Sequence, residues 1–250
     1  MPFGTLVIYT SSQKGSVEFD KQLFEKFGAR VIRDRAKILL PTPRITKRAI
    51  KILENEAITR VWFGAAAPLA LMASALRKSG ASNIIALSHG HEVWWAKIPI
   101  FKQLLRKIIK DVDYFGYLGN FTKSELLKVS NNPDKLIQIA PGIDTNHFMP
   151  RTASAKLIAK YRLEDRRIIV CVARLVHRKG QDQLIQAMPK ILQSHPDAIL
   201  LLVGVGPIKQ MLENSARQLR ITHKIVFTGR VSHDELPDYL AISEIFAMPV

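Results

Sequence analysis

With 250 residues, 47% of them apolar, the chain has material for one large or two modest hydrophobic cores, which sets it apart from a coreless tail or peptide. A net charge of +16, spread over both halves, favours anionic partners: phosphorylated substrates, an acidic membrane surface or nucleic acid. Cys171 is the only cysteine, so an intrachain disulfide is excluded and a reducing cytoplasm is the default; no apolar run approaches the ~20 residues of a membrane span, and no signal peptide is visible.

Along the chain, short apolar runs alternate with helical patterns. Leu6–Tyr9 and Arg30–Arg33 read as strands, with Phe19–Phe27 between them as a weak helix or loop. Thr46–Glu56 reads as a helix, Arg60–Phe63 as a strand, Pro68–Lys78 as an apolar helix and Asn83–Leu87 as a strand. Ser88 to Glu92 is a polar loop, and Ile98–Lys110 a basic amphipathic helix. Tyr114–Leu118, Thr122–Val129 and Ile137–Ile139 continue the alternation. The charged segment from Pro150 to Arg166 reads as the passage into a second domain. There Ile168–Ala173, Ala198–Val203, Ile225–Thr228 and Glu244–Met248 are strands, separated by helices at 182–192, 208–219 and 234–241. Such alternation predicts parallel βαβ units in two domains, residues 1–150 and 151–250.

The richest stretch follows the strand Ile168–Ala173. Arg174 and Lys179 stand at its carboxyl end, before a helix, where open α/β sheets bind ligands. Two cations beside a helix start suit a diphosphate, and would offset the negative charge that develops on a leaving group. A solvated loop would also carry Lys and Arg. Gly204-Val-Gly206 follows the next strand and lets a backbone approach a phosphate or sugar, although no full Gly-x-Gly-x-x-Gly is present. Ser88-His-Gly-His-Glu92 is read as a polar loop facing substrate rather than as a metal site, since His89 and His91 flank a glycine. Asp111-Val-Asp113 has the spacing of a metal-binding Asp-x-Asp, but it precedes a strand where that motif should follow one, so no metal is expected there. In the helix at 98–110, Phe101, Leu104, Leu105, Ile108 and Ile109 form one stripe. Lys102, Arg106, Lys107 and Lys110 lie off it and can meet anionic headgroups, at about 1 kcal/mol per basic residue.

Taken together, Pro141-Gly-Ile-Asp-Thr-Asn-His-Phe148, Val172 to Gly180, Leu202 to Gly206 and Val226-Phe-Thr-Gly-Arg-Val231 resemble the retaining GT-B glycosyltransferases of family-4 type. Trp62 to Ala70 and Ser88 to Val93 sharpen the likeness toward the actinobacterial phosphatidylinositol mannoside mannosyltransferases. The resemblance implies an α/β fold of two Rossmann-like domains whose parallel sheets face each other across a cleft. It implies GDP-mannose as donor substrate on the second domain, an anionic phospholipid acceptor on the first, and neither metal nor other cofactor. Arg174 and Lys179 carry over as diphosphate ligands, and Gly204, Gly206, Arg230 and Val231 as the donor pocket. His89 carries over as the catalytic residue near the reacting sugar, with His91 and Glu92 as possible acceptor or sugar contacts. A cytoplasmic protein held peripherally at the inner membrane face is implied as well.

Against that family, the chain opens at its second strand and stops before a segment carrying two glutamates, so both domains are expected to be incomplete. The alternative function is therefore a remnant that binds nucleotide or anionic membrane without turnover. Nucleic-acid binding rests on charge alone, with no recognition motif, and is not expected.

Overall fold

Residues 2–90 and 92–249 are described by the structure, a computed structural model. The apolar runs become strands and the periodic segments helices, in the order β1 (Val7–Ser11), α1 (Ser16–Phe27), β2 (Arg30–Asp34), α2 (Pro43–Asn55), β3 (Arg60–Phe63), α3 (Ala73–Lys78), β4 (Asn83–Leu87), α4 (Glu92–Lys97), α5 (Pro99–Asp111), β5 (Tyr114–Tyr117), α6 (Asn120–Leu127) and β6 (Leu136–Gln138). The second part holds α7 (Ala155–Tyr161), β7 (Arg167–Val172), α8 (Gln181–Ser194), β8 (Ala198–Val203), α9 (Lys209–Gln218), β9 (Ile225–Gly229), α10 (Leu236–Ala241) and β10 (Ile245–Phe246). All pairings between these strands are parallel; the one bridge outside them among the described residues, Gly204 with Gly229, is antiparallel.

The chain divides into two units, 1–142 and 143–250. The division falls earlier than the expected boundary at 150 because the Asp144–Arg151 segment is tied into the second unit. Asp144 caps its own turn through the Asn146 and His147 N–H groups. The His147 ring stacks on His233, at 5.2 Å and 12°, and Phe148 meets both rings edge-on. Arg151 then reaches the His147 carbonyl and the Asp238 carboxylate, 3.2 Å away.

In the first unit, β3-β4-β5-β6 form one sheet, and β1-β2 a separate pair. A cavity of about 180 Å³, lined among others by Val7, Tyr9, Val61, Phe63 and Met72, lies between β1 and β3. The core gathers around Ile84, Phe115, Leu105, Ile108 and Leu126, all fully buried. Local chemistry moves several boundaries. Helix α2 starts at Pro43, ahead of the expected Thr46, because Thr42 caps it through the Ile45 N–H (3.3 Å) and proline suits the first helical position. Pro68 leads into a 3₁₀ turn, Leu69–Met72, before α3 begins. Helix α7 occupies what the charges of 150–166 made look like a passage. Ser154 caps it, and Leu157, Ile158 and Tyr161 pack under the sheet.

Asp34 closes β2 as a buried ionic knot. It accepts from the Tyr9 hydroxyl (2.9 Å), the Ala36 N–H (2.8 Å), Arg44 (2.8 Å) and Arg48 (3.1 Å). The Ala36 N–H leads in holding the carboxyl below the usual carboxylate range; burial opposes it, and Tyr9, Arg44 and Arg48 reinforce it. Burial and then the Asp34 hydrogen bond push the Tyr9 hydroxyl up to about 12. A carboxyl depressed in the folded state adds stability above its unfolded value near ~3.9, and loses it as pH falls through the folded value. The urea midpoint should therefore fall as acid is added below about pH 4. Asp34→Asn should be less stable at neutral pH and show a shallower acid slope. An unaltered slope would remove Asp34 from the account.

The second unit orders its sheet β10-β7-β8-β9. Alternate residues of β7 and β8 face opposite sides, so both faces are covered. Cys171, Leu200 and Leu202 pack toward α8 and α9 with Ile185, Met188 and Leu212. Ile168, Val170, Leu201 and Val203 pack with Tyr239 and Ile242 on the other face. The chain steps outward from β7 to β9, then returns to the far side of β7 with β10. That reversal makes a topological switch point at the carboxyl ends of β7 and β10, the place where doubly wound sheets bind ligands.

Candidate functional site

Three strand-end loops of the second unit are laced together by backbone. Ala173 N–H donates to Val203 (3.0 Å), Leu175 N–H to Val205 (3.1 Å), and Gly204 N–H to Gly229 (2.9 Å). Gly204 has φ +140, and a Cβ there would strike the Ala173 carbonyl; one at Gly206 would strike the Leu175 carbonyl. The two glycines, expected to admit a ligand, are thus required first by the neighbouring loop. Sequence alone sees the need for close backbone approach, but not which backbone approaches.

The loop after β7 ends in a single 3₁₀ turn, His177–Lys179, and Gly180 at φ +65 turns it into α8. A Cβ on Gly180 would meet the Pro249 carbonyl, so the segment after β10 lies directly against this turn. The Arg174 side chain is exposed and has no ion-pair partner among the described residues. Lys179 reaches the Met248 sulfur at 3.8 Å. Its charge is felt at Cys171: burial pushes that thiol up, and Lys179 pulls against it. Lys179 is thereby placed over the carboxyl end of β7, on the β10 side, and Arg174 opens the same loop. Arg230 is exposed beyond β9, whereas Val231 is partly buried and packs against the core that holds Tyr239 and Ile242.

Sequence reasoning passed over Gln181. It is fully buried at the first position of α8 and donates to the Arg174 carbonyl (3.0 Å), while its own Oε1 has no partner among the described residues. Only the placement of a polar residue directly after a turn glycine could have signalled it.

In the first unit, the turn after β4 separates the residues expected to act together. The exposed His89 ring meets the Gly64 carbonyl at 2.6 Å. Glu92, expected beside it as a substrate contact, is 2% exposed and faces inward. One of its oxygens takes the Ser88 hydroxyl (2.7 Å) and the other the Ala67 N–H (3.3 Å). Its work is to pin the 88–92 turn to the loop after β3, and so to position His89. His91 lies outside the described residues. Both carboxylates of the Asp111-Val-Asp113 pattern are engaged: Asp111 with Lys107 (2.6 Å), Asp113 with Arg77 (2.8 Å) and the Ile84 N–H (2.7 Å). Burial pushes the Asp113 carboxyl up, but Arg77, the Ile84 N–H and Lys135 together hold it below the usual range. Of the four basic residues on α5, Lys107 pairs with Asp111 and Arg106 donates to the Val129 carbonyl (3.3 Å). Lys102 and Lys110 have no ion-pair partner among the described residues.

Residues 154–250 match the family described as glycosyl transferases group 1. Over 245 residues the chain is 38% identical to a GDP-mannose-dependent alpha-(1-6)-phosphatidylinositol monomannoside mannosyltransferase of Mycolicibacterium smegmatis, covering 98% of this chain and 64% of that protein. It is 36% identical to the Corynebacterium glutamicum enzyme for the monoacylated substrate, with the same two coverages. The chain thus spans just under two thirds of the curated relatives it matches. Among solved structures, a glycosyltransferase from Rickettsia africae superposes with a TM-score of 0.75 at 19% identity, covering 97% of this chain and 72% of that one. Anabaena HepE in complex with UDP gives 0.71 at 14%, covering 99% and 74%. At such identities these likenesses establish the shared fold, the GT-B type.

Proposed function

We propose that the protein moves a mannosyl group from GDP-mannose to a phosphatidylinositol mannoside, because residues 154–250 match the group 1 glycosyl transferases and nearly the whole chain is similar to phosphatidylinositol mannoside mannosyltransferases. The observation that carries this is the cationic loop after β7, with Arg174 and Lys179 at the β7–β10 switch point. In the reaction the bond between the anomeric carbon and the β-phosphate oxygen breaks. A bond from an acceptor hydroxyl oxygen to that carbon forms on the same face, so configuration is retained. The hydroxyl proton passes to the departing phosphate oxygen. Charge grows on the β-phosphate as the bond breaks, and fixed cations stabilise it most at that moment. Arg174 offers a two-pronged donor and Lys179 a point charge. This is a division of labour that needs no metal. His89, held by Gly64 and by the turn that Glu92 pins, is assigned to the sugar on the acceptor side. Arg230 and the Gly204–Gly206 turn complete the donor pocket.

Calorimetric titration of the 250-residue chain with GDP-mannose, GDP and UDP-glucose tests the donor. Binding of the two guanosine ligands with little response to UDP-glucose is expected, and the reverse order would sink the assignment. Transfer of radiolabelled mannose to a phosphatidylinositol mannoside then separates an enzyme from a domain that only binds. Donor binding without transfer would favour the second.

A further inference from the structure

In the second unit, three potential metal ligands converge from two stretches far apart in the chain. His147 follows the turn that Asp144 caps, and His233 and Asp234 lie in the loop between β9 and α10. One ligating atom from each lies within 4.8 Å of the others, the one such group among the described residues. The two histidine rings lie nearly parallel, at 5.2 Å and 12°, and Phe148 stands edge-on to both. The His147 Nε2 is 3.1 Å from the His233 carbonyl. A carbonyl only accepts, so that nitrogen carries the proton and Nδ1 keeps its lone pair. Histidines that bind metals usually donate their other ring N–H to such an oxygen, which fixes tautomer and orientation. His233 and Asp234 are exposed, and the Asp234 carboxylate has no hydrogen-bond or ion-pair partner among the described residues. Arg151, which donates to the His147 carbonyl, has its charge met by Asp238 at 3.2 Å.

We propose that His147, His233 and Asp234 bind one divalent transition cation of the zinc class. Two imidazoles and a carboxylate suit zinc and its neighbours, whereas magnesium and calcium take oxygen ligands. Zinc bonds of about 2.1 Å put the ligand atoms of a tetrahedral site about 3.4 Å apart, so the three groups need to close by at most about 1.4 Å. Exposed side chains make that movement by rotation, and a fourth position is left to water. Carboxylates often gather on a surface by chance. Here, by contrast, both imidazoles are held in a packed aromatic cluster, and the third ligand is a carboxylate that nothing else engages. The cation would cross-link the segment that enters the second unit to the loop after β9, which also carries Arg230. The inference is independent of the mannosyl-transfer reading, in which the loop carrying Arg174 and Lys179 meets the diphosphate.

Its test is titration of the full chain, stripped with chelator and dialysed, with zinc chloride by calorimetry and with cobalt chloride by visible absorption. One saturable site per chain is expected, with ligand-field bands from cobalt and no response to magnesium. About a hundredfold excess of zinc over its dissociation constant should raise the thermal midpoint by about 5 °C or more. His147→Ala and His233→Ala should each weaken zinc binding about 100-fold or more, since loss of even an outer-shell partner costs about 10- to 100-fold. Asp234→Asn should weaken it about tenfold or more and leave the metal-free midpoint at the parental value, because its carboxylate has no partner to lose. That variant keeps the test valid should His147→Ala disturb the aromatic cluster. His195→Ala and His223→Ala, exposed and outside the group, should bind zinc as the parent does. Absence of saturable zinc binding would overturn the proposal. So would parental affinity in both His233→Ala and Asp234→Asn, or an equal loss in the His195 or His223 variant.

Discussion

Arg174→Ala is expected to weaken binding of GDP and GDP-mannose by about 10- to 100-fold, and Lys179→Ala by a similar factor, as for the loss of one charge-assisted hydrogen bond of about 1.5–3 kcal/mol. Neither change should disturb the fold. The Arg174 side chain has no ion-pair partner among the described residues, and it is its backbone carbonyl that Gln181 holds. For Lys179 the recorded side-chain contact is the Met248 sulfur. Thermal midpoints should therefore barely move, by the roughly 0.5 kcal/mol typical of surface positions. Arg174→Lys keeps the charge but loses the fork, and should recover only part of the affinity. Calorimetry against salt concentration gives a second reading, since loss of a cation facing a diphosphate should flatten the salt dependence. Unchanged affinity in both alanine variants would remove the diphosphate role from this loop.

Gly204→Ala is expected to cost about 3–5 kcal/mol. Two penalties combine. The backbone at φ +140 is one that residues with a Cβ rarely adopt, and the new Cβ would lie on the Ala173 carbonyl. That carbonyl belongs to the loop carrying Arg174, so relief of the clash must shift the loop. In a unit of this size the transition should fall on the order of 15–25 °C. Gly229→Ala is the control. It too has positive φ, +78, but nothing lies within 4 Å of its Cβ position, so it should cost only about 1 kcal/mol. Equal midpoints for the two variants would mean that the loops are not in the described contact.

Parts of the site were legible residue by residue. Strand β7 could be read because a buried parallel strand is a continuous apolar run, and a cation at its end stands out. The same logic located β4 and the turn holding His89. Helix α7 escaped because Lys156, Lys160 and Arg162 mask its short apolar face. Glu92 was misjudged for a related reason. A carboxylate in a polar loop gives no sign of whether it points outward or is buried under Ser88 and Ala67.

By itself the sequence determined a parallel α/β architecture in two units, a basic loop after the first strand of the second unit, and a set of motifs that resemble those of retaining GT-B glycosyltransferases. These are local properties, since hydrophobic period, turn residues and charge order are written along the chain. Only the tertiary structure decided that β10 lies beside β7 and so creates a switch point next to Lys179. It also decided that the glycines at 204 and 206 serve their neighbouring loop and that Gln181 holds the Arg174 backbone carbonyl. Each depends on which distant backbone or helix comes alongside, and that is set by packing the whole unit rather than by any stretch of it.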